Sequence, residues 1–137
     1  MPLDVSTELV LYRDPWEIKK QLMESDVNGS SRLLLPLDCL NAHVFPKMGE
    51  EMVRRIRGGD DEKVLVLDMD TEREHQLVFR RWKSGSYVLK GGWTKLFVRG
   101  LGLEIGDEIG MFWDEASGKF YFKVLHKVAL GTGNAGA

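Results

Sequence analysis

Four carboxylates alternate along one short stretch, Asp68, Asp70, Glu72 and Glu74, and alternation of this kind can hold a divalent cation beside a phosphate. A calcium loop also needs a glycine at its sharp turn and a terminal bidentate glutamate, and this stretch has neither in place. A solvated hairpin tip between two strands accounts for the same residues. Gly100, Gly102 and Gly106 form G-x-G-x-x-x-G, which misses the dinucleotide fingerprint by one residue and follows a predicted helix instead of a strand. His43, His75 and His126 have no partner at helical spacing and no nearby thiol, so they read as core or surface residues before zinc ligands or general bases. Nothing pairs a nucleophile with a base, and no carboxylate pair sits in an apolar setting that would tune it. The expectation is a chain with no enzymatic site, no metal and no cofactor.

A different chemistry stands out in the charge distribution. The net charge is −2, yet between His75 and Leu103 there is no Asp or Glu, while Arg80, Arg81, Lys83, Lys90, Lys95 and Arg99 all fall in that window. Elsewhere the chain holds 13 basic and 21 acidic residues. A domain polarised in this way presents a basic face while staying acidic as a whole, and a polyanion responds to the local field.

Composition narrows the classes further. At 137 residues, with 43% hydrophobic and 29% charged residues, the chain reads as a single globular domain with a core of its own. One cysteine, Cys39, excludes an internal disulfide framework and a Cys-based zinc finger. No run approaches the roughly 18 apolar residues of a membrane span, and Met1–Glu8 lacks the basic and apolar regions of a signal peptide, so no membrane partner is expected.

The elements that position the basic window follow from turn chemistry and periodicity. Trp16–Val27 fits helix or strand equally, and Asn28-Gly29-Ser30-Ser31 is a turn. Pro36–Phe45 reads as a short helix closed by Pro46, with Leu37, Leu40 and Val44 on one face. Glu51–Arg57 and Lys63–Asp70 are strand candidates, followed by a turn at Thr71–Arg73 and a strand over His75–Trp82. Ser84-Gly85-Ser86 interrupts that strand before Tyr87-Val88-Leu89 resumes it. Gly91-Gly92 introduces a second short helix, Trp93–Arg99, ended by Gly100 and Gly102. Glu108–Asp114 and Lys119–Leu125 form a hairpin across Ala116-Ser117-Gly118. Trp93, Phe97, Leu103, Ile105, Ile109, Phe112, Phe120 and Phe122 are the expected core, and Asp107 is expected to shape a turn. Many short strands with two short helices predict a barrel or sandwich. Residues 1–14 read as a flexible arm, 15–127 as the folded domain and 128–137 as a disordered tail.

Three segments, in order, resemble a known family. Glu24-Ser25-Asp26-Val27 with Ser31-Arg32-Leu33-Leu34-Leu35-Pro36 resembles the first half of the plant B3 DNA-binding domain. Gln76 through Leu89, with Arg80-Arg81-Trp82-Lys83-Ser84-Gly85-Ser86 at its centre, is similar to that family's central segment. Gly92-Trp93-Thr94-Lys95-Leu96-Phe97-Val98 and Leu103-Glu104-Ile105-Gly106-Asp107-Glu108-Ile109 are similar to its closing part. The likeness covers roughly residues 15 to 125 and is nearest to a divergent plant subfamily catalogued as a domain of unknown function.

The resemblance implies a mainly β fold with two short helices, a seven-stranded open β-barrel or pseudobarrel. It further implies that two arms enter the major groove of double-stranded DNA, one over Ser25–Arg32 and one over Arg80–Ser86. The second arm coincides with the basic window. Arg80, Arg81 and Lys83 are then expected to neutralise phosphates, and Arg32 to do the same or to set its fork against a guanine edge. Ser25, Asn28, Ser30, Ser31, Ser84 and Ser86 are short hydrogen-bonders for phosphate or base edges. Trp82 is expected to pack on sugar or a thymine methyl, and Lys95, with Arg99, to touch the DNA backbone. Two departures stand out: Leu37-Asp38 follows Pro36 where many members carry Lys, and Trp82-Lys83 stands where many carry Trp-Asn. Exchange of a bidentate amide for a point charge is expected to shift base preference. The function implied is plant transcription regulation in the nucleus, with other transcription regulators as further partners; the alternative is a protein-interaction module on the same scaffold. Arg54-Arg55-Ile56-Arg57 is too short to serve as a localisation signal by itself.

Overall fold

In the computed structural model, residues 14–29 and 31–128 are described. The expected flexible arm and disordered tail, apart from Asp14 and Val128, lie outside the described residues. The sheet is built from β1 (Ile18–Gln21), β2 (Leu33–Leu35), β3 (Glu62–Asp68), β4 (Arg73–Arg81), β5 (Tyr87–Lys90), β6 (Glu108–Asp114) and β7 (Lys119–His126). Its seven strands run in the order β1-β6-β7-β3-β4-β5-β2. All pairs are antiparallel except β3 with β7, where Val66 faces Phe120 and Asp68 faces Phe122. The sheet curls into an open half-barrel with β1 and β2 at its two ends.

Strand alternation fills the interior. Val64 and Val66 on β3, Leu77 and Phe79 on β4, Met111 and Trp113 on β6, and Phe120 and Phe122 on β7 are all buried. Phe79 and Phe120 rings lie 5.9 Å apart, and Trp113 meets Phe120 edge-on at 5.0 Å. The same alternation turns Phe112 outward, contrary to its expected core position. It stacks on Tyr121 at 4.9 Å and touches Trp16 at 5.3 Å, half-buried on the outer face. Gly110 makes room for this layer: a Cβ there would come within 2.9 Å of Trp16. Ile105, also expected in the core, is 48% exposed because it sits at the tip of the loop between Leu103 and Asp107, the two residues of that loop that are buried.

Four helical segments close the open side. The first, α1 (Glu24–Asn28), follows β1 directly, so the ambiguous Trp16–Val27 stretch contains a strand and a helix in turn. The segment expected to end before Pro46 runs on: α2 (Leu37–Cys39) widens to a π-helix over Leu40–Val44 and tightens to a 3-10 turn over Phe45–Lys47. A proline inside the first turn of that 3-10 piece loses no hydrogen bond it needed. Glu51–Arg57, expected as a strand, belongs instead to α3 (Glu50–Arg57). Glu50 and Glu51 sit in its first turn and Arg54, Arg55 and Arg57 in its last, as the helix dipole favours. Val53 and Ile56, three apart, bury one face, and Glu51 pairs with Arg54 at 3.1 Å and Arg55 at 3.6 Å on the other. The fourth segment, Trp93–Arg99, is π-helical and sinks Trp93 and Phe97 against Phe122.

The acidic alternation resolves as the β3–β4 hairpin tip. Asp68 is buried and accepts hydrogen bonds from the Asp70 amide at 3.1 Å and the Thr71 hydroxyl at 2.7 Å, while Asp70 and Glu74 pair with Lys123 and Lys119 on β7. Asp107 shapes the turn into β6 as expected and also holds the end of the fold. Fully buried, it accepts from the amides of Glu104 at 2.8 Å and Val128 at 2.9 Å, and from the Lys127 ammonium. Burial by itself pushes this carboxyl up, but the Lys127 hydrogen bond and then the two amides outweigh it, leaving Asp107 below its usual 3.8. A lowered carboxylate stabilises above its ordinary range, and that contribution disappears as pH falls through the folded-state value. Asp107→Asn is therefore expected to lose about 1–3 kcal/mol near neutral pH. Urea midpoints measured from about pH 6 to about pH 2.5 should show the two proteins converging at the acid end.

Candidate nucleic-acid interface

Both expected arms rise from the same end of the half-barrel. The second is the β4–β5 connection. Arg81 stands opposite Tyr87 and Arg80 opposite Val88, and the Trp82 amide donates to the Ser86 carbonyl at 2.7 Å. The Gly85 amide donates back to the Trp82 carbonyl at 2.8 Å, which leaves Lys83-Ser84-Gly85 as a three-residue loop. Gly85 takes φ +96°, the left-handed position that such loops place last. Arg81, Lys83 and Ser84 are exposed at the tip, with Trp82 and Ser86 half-buried behind them. Gly85→Val is expected to cost about 1–2 kcal/mol, because a β-branched residue resists that φ. Ser84→Val, one residue earlier on the exposed tip, should stay within about 0.5 kcal/mol by the same urea titration.

The first arm, Ser25–Arg32, begins inside α1 and returns to β2. Ser25 and Asn28 are exposed on α1, and Ser30 lies outside the described residues. The arm bends at Gly29, where a Cβ would come within 2.3 Å of the Ser25 carbonyl oxygen, so only glycine fits. Ser31 is exposed with φ +58°, a conformation that non-glycine residues rarely adopt.

Arg32 is placed differently from the other arm cations. Only 8% exposed, it turns inward, donating from Nη1 to Asp26 at 3.0 Å, and its guanidinium lies 5.5 Å from the centre of the Trp82 ring. That contact joins the two arms. Asp26 itself is 1% exposed and gathers Lys20 from β1 (3.1 Å), the Met23 amide (2.8 Å), Arg32 and the Leu34 amide of β2 (3.1 Å). Lys20 also reaches the Leu34 carbonyl, so the sheet's two end strands are tied across the opening. Burial draws the Lys20 ammonium below its ordinary range against the opposing pull of Asp26. The Trp93 indole donates to the Asp26 carbonyl at 2.9 Å, which fixes the π-helix carrying exposed Lys95 to the root of the first arm.

Sequence reasoning missed Asp26, because its partners Lys20, Leu34 and Trp93 lie outside the arm that contains it. It also missed Asp61, which accepts from Arg80 at 2.6 Å and lies 3.8 Å from Lys90. The Arg80 guanidinium holds the Asp61 carboxyl below its usual range. Among the described residues, Arg81, Lys83, Lys95 and Arg99 have no carboxylate within ion-pair distance. A cleft lined by Gly58, Gly59 and Arg80–Lys83 runs between the second arm and the end of α3. The arrangement offers exposed cations and short polar side chains on two adjacent projections, which suits a polyanion of regular groove spacing.

Comparison with known proteins places the chain in a family and a fold. The family model for the C-terminal domain of B3 domain-containing protein At5g26805 matches residues 16–125. The chain is 42% identical over 118 residues to putative B3 domain-containing protein At1g78640 of Arabidopsis thaliana, covering 85% of this chain but only 24% of that protein. It therefore spans about a quarter of the length of that relative. With B3 domain-containing protein At1g10455 of the same plant it is 34% identical, over 88% of this chain and 78% of the other. Two solved structures share the fold. The Arabidopsis FUS3–DNA complex superposes with a TM-score of 0.63 at 24% identity, over 82% of this chain and 98% of the other. The Arabidopsis thaliana transcription factor LEC2–DNA complex gives 0.58 at 26% identity, over 78% and 89%.

Proposed function

Because the chain belongs to the B3 domain family and carries its seven-stranded half-barrel, we propose that it binds double-stranded DNA through the two arms, with a preference for sequence, as a nuclear regulator of transcription. The observation that supports this most is the pairing of adjacent arms on a fold whose solved neighbours are DNA complexes, with Arg81 and Lys83 exposed at the second tip and without a carboxylate partner among the described residues. In this reading Arg81 and Lys83 meet phosphates, with Lys83 also within range of a guanine edge. Ser25, Asn28, Ser30, Ser31, Ser84 and Ser86 supply short hydrogen bonds, and Trp82 supplies apolar contact. Arg80 joins them once it leaves Asp61, and Lys95 touches the backbone from the π-helix, whereas Arg32, turned inward onto Asp26 and Trp82, is not among the DNA contacts. No catalytic step is assigned to the chain.

One observation favours the protein-interaction module as a second reading. Arg32 and Arg80 are each paired with a carboxylate, Asp26 and Asp61, so the second arm offers less net charge than its own sequence does, and the first, which holds both Asp26 and Arg32, offers none. A titration against a randomised duplex pool at two salt concentrations separates the readings. Recovery of a short motif, with affinity falling as salt rises, is the expected outcome. Absence of binding to any duplex would move the interaction module into first place.

A further inference from the structure

A guanidinium that is nine-tenths buried needs a reason to be there, since taking it out of water costs several kcal/mol unless partners replace the solvent. Arg32 has two partners of different kinds. Asp26 holds the edge of its fork at 3.0 Å, and Trp82 of the other arm lies 5.5 Å from its carbon, within the range of a cation–π contact. Its Nε has no hydrogen-bond partner among the described residues, so the group is not placed for hydrogen bonding alone. Asp26, in turn, cannot drift. Lys20, the Met23 and Leu34 amides and Arg32 fix its carboxylate, and Trp93 fixes its main chain. The line from Asp26 through Arg32 to Trp82 thus runs from the sheet's closure to the second arm through two buried side chains and one half-buried ring.

We infer that Asp26 and Arg32 are positioning residues that set the second arm against the first, through the Arg32 guanidinium lying over the Trp82 ring. Resting on the DNA-binding reading above, this deepens it: the spacing between the arms, and with it discrimination between base sequences, depends on a residue that itself contacts no base. Phosphate attraction tolerates small displacements of an arm, whereas base-edge hydrogen bonds do not. Arginine suits both contacts, because its broad delocalised guanidinium donates to Asp26 while it lies over Trp82, whereas a lysine ammonium keeps the charge as a single point.

The test uses the full chain labelled with 5-fluorotryptophan, with the Trp82 resonance assigned by its absence in Trp82→Leu. Without DNA, Arg32→Lys should shift or broaden the Trp82 fluorine resonance, and Asp26→Asn should do the same in a protein whose folding is checked by its thermal transition. With DNA, Arg32→Lys should lower the ratio of affinity for a selected site to affinity for a scrambled duplex about tenfold, with scrambled-duplex affinity changed by less than about threefold. The double variant Arg32→Lys/Trp82→Leu should lose about fivefold less selectivity than the product of the single losses, the worth of the shared contact. An unmoved Trp82 resonance in both folded variants overturns the proposal, as do selectivity losses that simply multiply. If the wild-type chain binds no duplex, the functional reading fails, while the fluorine measurement still decides whether the brace exists.

Discussion

Replacing Asp26 with alanine is expected to destabilise the domain by about 3–5 kcal/mol, the cost of removing one partner from a buried ion pair. The variant leaves the Arg32 guanidinium and the partly buried Lys20 ammonium without their anion, together with two main-chain donors, the Met23 and Leu34 amides. Each of these groups was drawn from water on the strength of that carboxylate, and among the described residues Lys20 keeps only the neutral Leu34 carbonyl. Asparagine keeps one acceptor oxygen for the amides but not the charge, so Asp26→Asn should fall between wild type and alanine. Equilibrium urea unfolding measures both, and a fall in Tm of roughly 12–20 °C should accompany the alanine variant. A loss below about 1 kcal/mol for Asp26→Ala would mean that the seam between β1 and β2 is held by packing alone.

Alanine at both Arg81 and Lys83 should weaken duplex binding about thirtyfold at about 0.15 M salt, and reduce the slope of log affinity against log salt by about 1.8. Each neutralised phosphate contributes about 0.9 to that slope, which between about 1 M and about 0.15 M salt amounts to roughly fivefold in affinity. Adding Arg80→Ala should deepen the loss by less than another such factor. Arg80 must leave Asp61 before it meets a phosphate, and that exchange uses up part of the gain. Fluorescence anisotropy at several salt concentrations gives both quantities. An unchanged salt slope in the double variant would remove the second arm from the interface.

Much of the fold was legible in the sequence because its signals are local. The second arm announces itself through Arg80-Arg81-Trp82-Lys83 and through Gly85, whose positive φ a tight loop demands. The β6–β7 hairpin and the Trp93 helix are marked by glycines at their ends. Glu51–Arg57 reads as a strand because Val53 and Ile56 suit either element, and it is the charge order along the segment, acid first and base last, that marks it as a helix. Phe112 and Ile105 were misassigned for a related reason: hydrophobicity says that a residue seeks cover, and strand phase or loop position decides whether it finds it. The first arm is where local reading reached its limit. Arg32 looks like a phosphate contact from its neighbours, yet its placement depends on Asp26 and Trp82, and Asp26 depends on Lys20 and Trp93. No window of sequence contains that set.

The closure of the half-barrel also sets when the protein can form. Ile18 of β1 lies opposite Met111 of β6, and the bond from Trp93 to Asp26 spans 67 positions. Contacts of such separation make for slow folding, because loop closure must precede the reward. A ribosome delivers β1 and α1 long before β6 exists. Until then Asp26, Lys20 and Arg32 can pair with one another but the strand edge beside them stays open. Folding of this domain during synthesis is therefore gated by the emergence of its last hairpin, and the N-terminal third is the part most in need of chaperone cover meanwhile.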